Sequence, residues 1–151
     1  MNTHANPSVL GNGTGDGKDS DQLTISEIGS LDWQSIPVLI LLGCNAGHYD
    51  YTYSNVAYAF SKRISGVVVA SDGTVYPGLL NSVGDAATFT SKADDDFDEY
   101  CKTNIRTNKG WVRYKQNLKT GSVAIYYYSS DSKTLKINWI MADLKSRNYY
   151  K

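Results

Sequence analysis

The chain has 151 residues, 41% of them hydrophobic, with 15 basic and 15 acidic side chains and no net charge. That length and apolar content suit one ordinary domain with a real core and exclude a disordered tail. Zero net charge without a concentrated basic face argues against a nucleic-acid binder. The longest apolar run, Val38 to Leu42, falls far short of the roughly 20 residues that cross a membrane.

No signal peptide is expected, because Asn2 to Gly17 is polar and glycine-rich. The location is left open, and any export would be as part of a larger protein. Residues 1–7 read as the end of a strand running into a loop, with no apolar strand ahead. The expectation is a single α/β domain over 1–151 that forms the C-terminal part of a larger one. Gly11 to Asp21 is a loop rich in residues that tolerate positive φ. Thr24 and Glu27 have capping-box spacing and predict a short helix over Ile25 to Leu31.

After Pro37, Val38 to Leu42 is apolar at every position. A strand covered on both faces reads this way, which predicts a mainly parallel central sheet flanked by helices. Gly43-Cys44-Asn45-Ala46-Gly47 is the turn that follows. Ser54 or Asn55 caps the next helix, whose buried face is Val56, Ala59, Phe60 and Ile64. Gly66 stops it before a second buried strand, Val67 to Ala70, and Ser71 to Thr74 turns the chain again. An acidic helix is predicted from Ala93 to Lys102, with Asp94, Asp95 and Asp96 at its start. Trp111 to Gln116 and Ser122 to Tyr128 form a predicted hairpin across 117–121. A closing helix over Asn138 to Ser146 is predicted to bury Trp139 or Ile140 together with Leu144. Twelve tyrosines, mostly in the second half, suggest an interface or a wet sheet face.

Cys44 is the leading candidate for chemistry. Sites in open α/β sheets form at the carboxyl ends of strands, and Cys44 lies just past one. Nearby backbone N–H groups can lower a thiol's pKa or stabilise an oxyanion. The alternative is a buried cysteine acting as a small hydrophobe. A nucleophilic thiol needs an acid/base partner, and only His4 and His48 are histidines. If Thr3 ends a strand beside Val38–Leu42, His4 emerges at the same sheet edge as Cys44. His48, four positions past Cys44, is the rival, and an exposed loop histidine is the plain reading of either. Asp72 is a third candidate, for a pocket selecting a basic residue, against its simpler reading as half of an Asp-Gly turn.

Cys44 and Cys101 have different settings, so no bridge between them is expected. No cysteine or histidine pair has zinc-finger spacing, so no metal is expected. Gly17-Lys18 departs from a phosphate loop at Asn12 and Asp19. No cofactor is therefore expected.

Thr3-His4-Ala5, Leu41 to Gly47 and Val67 to Asp72 together resemble the caspase–gingipain–clostripain group of cysteine peptidases (clan CD). More narrowly they resemble peptidase-like domains near the C-termini of bacterial Rhs-repeat and polymorphic-toxin proteins. The resemblance spans His4 to Thr74 and rests on short motifs in the order histidine then cysteine. It implies Cys44 as nucleophile, His4 as acid/base, and an oxyanion hole from the backbone at Ala5, Cys44 and Asn45. Peptide-bond hydrolysis on a peptide or protein substrate would follow. Ala5 stands where the group usually has glycine, and the strands that normally precede the histidine are missing. Those departures favour the alternative: a degenerate, non-catalytic binding or interaction module of a larger bacterial toxin or surface protein, self-associating through an uncovered sheet edge.

Overall fold

A computed structural model describes residues 9–11, 22–48, 53–72, 74–76, 87–89, 110–128 and 137–149. In chain order these form β1 (Val9–Gly11), β2 (Gln22–Thr24), α1 (Ile25–Ser30), β3 (Val38–Leu41), α2 (Val56–Ser61) and β4 (Val67–Asp72). There follow β5 (Thr74–Tyr76), β6 (Ala87–Phe89), β7 (Gly110–Gln116), β8 (Val123–Tyr127) and α3 (Ile137–Ser146). The helix predicted over Ala93 to Lys102 lies outside the described residues, as does Cys101.

The main sheet runs β3-β4-β7-β8. Only β3 and β4 are parallel, with Val38 opposite Val67 and Leu41 opposite Ala70. β4 pairs antiparallel with β7, and β7 antiparallel with β8. The expected mainly parallel sheet is therefore corrected to a mostly antiparallel one. The expectation rested on Val38–Leu42, yet β3 is an edge strand with Val38, Leu39 and Ile40 only partly buried; β4, buried throughout, is just as continuously apolar over Val67–Ala70, and cover on both faces does not depend on strand direction. Short antiparallel pairs, β1 with β2 and β5 with β6, stand apart from this sheet.

Side chains alternate across the pleat, so β3, β4 and β7 each feed two cores, while β8 contributes Val123, Ile125 and Tyr127 to one. One core joins Leu41, Val68, Ala70, Val112 and Tyr114 to Ile28 of α1 and to Val56, Ala57 and Ala59 of α2. The other joins Val67, Val69 and Trp111 to Leu144 of α3, with Val38, Ile40 and Met141 packed around them. The helix face read from Val56, Ala59 and Ile64 is buried, with Phe60 partly so.

Local chemistry sets the element ends. The Thr24 hydroxyl accepts from the Glu27 N–H at 3.2 Å, while the Glu27 carboxylate accepts from the Thr24 N–H at 2.7 Å. These two bonds complete the capping box, and the Thr24 N–H and then the Thr24 hydroxyl, both donating to the Glu27 carboxylate, hold its carboxyl below the ordinary pKa. Thr24→Ala is expected to cost about 1 kcal/mol of stability, read by urea unfolding. A change below a few tenths would place the stability of α1 elsewhere. The Asn55 side chain caps α2 by accepting from the Tyr58 N–H at 2.8 Å. In the β7–β8 hairpin, the Asn117 side chain accepts from the Lys119 and Thr120 amides, and Gly121 takes φ 73°, where a side chain would be strained.

Candidate functional site

The parallel pair β3–β4 brings two loop starts to one rim. Cys44 stands in the turn after β3, half-buried and carrying a thiol. The turn continues through Asn45, Ala46, Gly47 and His48, all buried. Asp72, the last residue of β4, is buried on the same side.

His48 Nδ1 lies 3.5 Å from Asp72 Oδ1, and the two side chains are 2% and 0% exposed. Around them, several elements hold the turn. The Tyr114 hydroxyl of β7 donates to the Gly47 carbonyl at 3.0 Å. Asn55 Nδ2 is within 2.8 Å of the Tyr114 hydroxyl oxygen and 3.1 Å of the His48 carbonyl, donating to both. The Gly47 N–H donates to the Ser71 carbonyl at 2.8 Å, and the Ser71 hydroxyl donates back to the Gly43 carbonyl at 2.7 Å. A Cβ on Gly47 would stand 3.0 Å from Ala70 Cβ, so the turn lies flat against β4. Asn45 has φ 55°, a left-handed conformation that asparagine tolerates better than most residues, and its buried Oδ1 has no hydrogen-bond partner among the described residues. An unmet buried acceptor costs about 1–3 kcal/mol, which the bonds further along the turn help to offset.

Burial raises the pKa of the Tyr114 hydroxyl; the bond from Asn55 opposes this, while Tyr127 and Asp72 add to it. The unfolded chain therefore releases that proton first. Tyr114 contributes its full stabilisation below a tyrosine's ordinary pKa of about 10, and that contribution falls as pH rises above it. The expected loss approaches about 1.4 kcal/mol per pH unit. Comparing unfolding of the wild type and Tyr114→Phe between pH 8 and 11, roughly the range around a tyrosine's ordinary pKa, checks this. Equal pH slopes for the two would remove Tyr114 from the account.

A second polar cluster lies on the opposite face. Arg113 Nη1 of β7 is 3.1 Å from Asp143 Oδ2 of α3, and Arg147 Nε is 2.7 Å from Asp143 Oδ1. The Arg113 guanidinium sits 4.6, 5.7 and 5.2 Å from the ring centres of Tyr126, Tyr128 and Tyr149. One carboxylate between two guanidinium groups, with aromatic faces around one of them, fastens α3 to the sheet. Residue-by-residue reading missed this cluster. Its signal was Arg113 on one strand of the hairpin and tyrosines at alternate positions, Tyr126 and Tyr128, on the other.

Of the residues singled out from sequence, Cys44, Asn45 and Asp72 come to one rim. His4 and Ala5 lie outside the described residues, so the His4–Cys44 pairing and the oxyanion role of Ala5 are not described. His48, the rival base, is brought to Asp72. Asp72 is the last residue of β4, buried beside that imidazole; Gly73, the second half of the Asp-Gly turn read from the sequence, lies outside the described residues. Among the described residues, no three His, Cys, Asp or Glu side chains are grouped to hold a metal ion, and no helix is long and apolar enough to cross a membrane. No family model matches the chain, nor does any curated protein or solved structure.

Proposed function

We propose that this chain is a non-catalytic, degenerate α/β binding or interaction module of a larger bacterial toxin or surface protein. The bacterial context rests on the motif resemblance alone. The observation that carries the reading is the commitment of His48: its ring is sealed in the protein beside Asp72 instead of standing open at the rim. A general base must reach the proton it removes, and a side chain 2% exposed has little access to substrate. Exposed Trp33, Tyr53 and Tyr126 supply the kind of aromatic surface that protein partners use.

The second reading, a cysteine peptidase with Cys44 as nucleophile and His4 as acid/base, is favoured by the place of Cys44 at the carboxyl end of a parallel strand pair. Iodoacetamide labelling of Cys44, resolved by peptide mass and followed across pH, separates the two. The module reading expects labelling no faster than that of a free thiol, and no change on His4→Ala. Fast labelling that His4→Ala slows, together with cleavage of a peptide panel that Cys44→Ala abolishes, would establish the peptidase instead.

A further inference from the structure

We propose that the outer edge of β8 takes an extended acidic segment of a partner protein as an added strand, held by the backbone of Val123 and Ile125 and by the Arg147 guanidinium. The proposal rests on the module reading and names the partner: an extended chain in which apolar and acidic residues alternate.

β8 ends the main sheet, and among the described residues no strand lies beyond it. The phase of its hydrogen bonds fixes which groups point outward. The Tyr128 N–H donates to the Trp111 carbonyl at 2.9 Å, and the Asn117 N–H donates to the Ser122 carbonyl at 2.8 Å. Bonding alternates residue by residue along an antiparallel pair, so Ala124 and Tyr126 also turn their backbone groups to β7. The N–H and C=O groups of Val123 and Ile125 therefore face away from the sheet. Solvent reaches this edge. Val123 and Ile125 stay only partly buried although their side chains pack on the core under α1 and α2, and Ala124 and Tyr126 are exposed on the other face. Outward donors and acceptors at two-residue spacing are what an incoming strand pairs with.

Charge on the exposed face selects the occupant. The chain as a whole is neutral, but beside Tyr126 the two guanidinium groups of Arg113 and Arg147 share one carboxylate, Asp143. Arg113 is buried within the cluster, whereas the Arg147 side chain is 44% exposed. The Arg147 Nε donates to Asp143 at 2.7 Å, and its guanidinium stands 5.3 Å from the Tyr126 ring centre. A surplus positive charge therefore sits at the open edge, on a group built to hold a carboxylate.

An acidic side chain on the added strand, at the position beside Tyr126, meets that guanidinium and balances the surplus. The residues on either side of it point to the opposite face, against Val123 and Ile125, and so are apolar. A second copy of this chain fits the edge poorly. Two-fold pairing of β8 with itself turns both α3 faces to the same side and brings two cationic clusters together. The opposite edge of the sheet, β3, is apolar at every position and carries no charge to select an occupant.

The test selects a phage-displayed library of random linear peptides on the whole chain. The Kd of the enriched peptides is then measured by fluorescence anisotropy for the wild type, Arg147→Glu and Val123→Pro, each variant checked by circular dichroism. Val123→Pro removes an outward N–H, a loss that an edge strand tolerates. Enriched peptides are expected to alternate Asp or Glu with apolar residues. They are expected to bind the wild type at least about ten-fold more tightly than either folded variant, the change for one lost charge-assisted contact. No enrichment, enriched peptides without acidic residues, or equal affinity for the wild type and a folded variant would each overturn the proposal. So would a wild-type dimer in light scattering that Val123→Pro dissociates, which would give the edge to a second copy. If neither variant folds, the composition of the enriched peptides decides alone. None of these outcomes touches Cys44, whose labelling decides the module reading separately.

Discussion

Gly66→Ala is expected to lower stability by about 3 kcal/mol or more, the upper range for overpacking, and it can prevent folding outright. A Cβ at this position would overlap the carbonyl group of Pro37 and the carbonyl oxygen of Ile36. These are backbone atoms, so no rotamer relieves the overlap. The close approach arises because Gly66 leads into the parallel register: the Val67 N–H donates to the Pro37 carbonyl at 3.0 Å, and Val38 stands opposite Val67. On the same spot, the Lys115 ammonium donates to the Ser65 and Gly66 carbonyls, tying β7 to this corner. A bulkier residue must therefore push β3 away from β4 and β7 together. Gly29 is the control. Nothing lies within 4 Å of a Cβ added there, and it sits inside α1. Gly29→Ala is expected to stabilise by about 0.5–1 kcal/mol. Urea unfolding of the two variants should move in opposite directions. A fall of less than about 1 kcal/mol for Gly66→Ala would show that the strands can separate without penalty.

That contrast marks what could be read from the chain and what could not. Thr24 with Glu27, Asn55 at the start of α2 and the 117–121 turn were legible because each feature satisfies backbone groups within three or four residues of itself. Sequence spacing is then the geometry. The direction of the strand beside β4 was not legible. β7 begins thirty-eight positions after Asp72, and nothing in Val67–Ala70 states from which end its neighbour enters. Apolar residues at successive positions report burial of both faces, a property shared by parallel strands and by antiparallel strands with helices on both sides. The site divides in the same way. Cys44 was placed correctly at the end of β3 by its local pattern. The parallel pairing of β3 with β4 follows from their strand–helix–strand order, which puts the residues just past both ends on one rim. The pairing of His48 with Asp72 on that rim is not written in either loop alone. Arg113 and its tyrosines come from three segments of the second half, and only composition hinted at them.

Trp111→Ala is expected to cost about 3–5 kcal/mol, and by the scaling for chains of this size to lower the melting temperature by about 6–20 °C. The magnitude follows from where Trp111 lies. It is fully buried, and it is the largest side chain in the core between the sheet and α3. On that face β4 offers only Val67 and Val69, and α3 presents Leu144 as its buried residue among those described. Loss of the indole leaves a cavity that two valines and a leucine cannot fill. The polar fastening of Arg113 to Asp143 beside it is partly exposed, with the carboxylate 26% accessible, so it cannot replace the lost packing. The other core should feel this little, because Val68, Ala70, Val112 and Tyr114 face α1 and α2 from the opposite side of the same strands. Trp111→Ala is therefore expected to weaken the docking of α3 first. In hydrogen exchange, amides of α3 should lose protection by more than those of α2. Equal loss in both helices would mean that the two layers fold as one unit, and that the sheet does not insulate one core from the other.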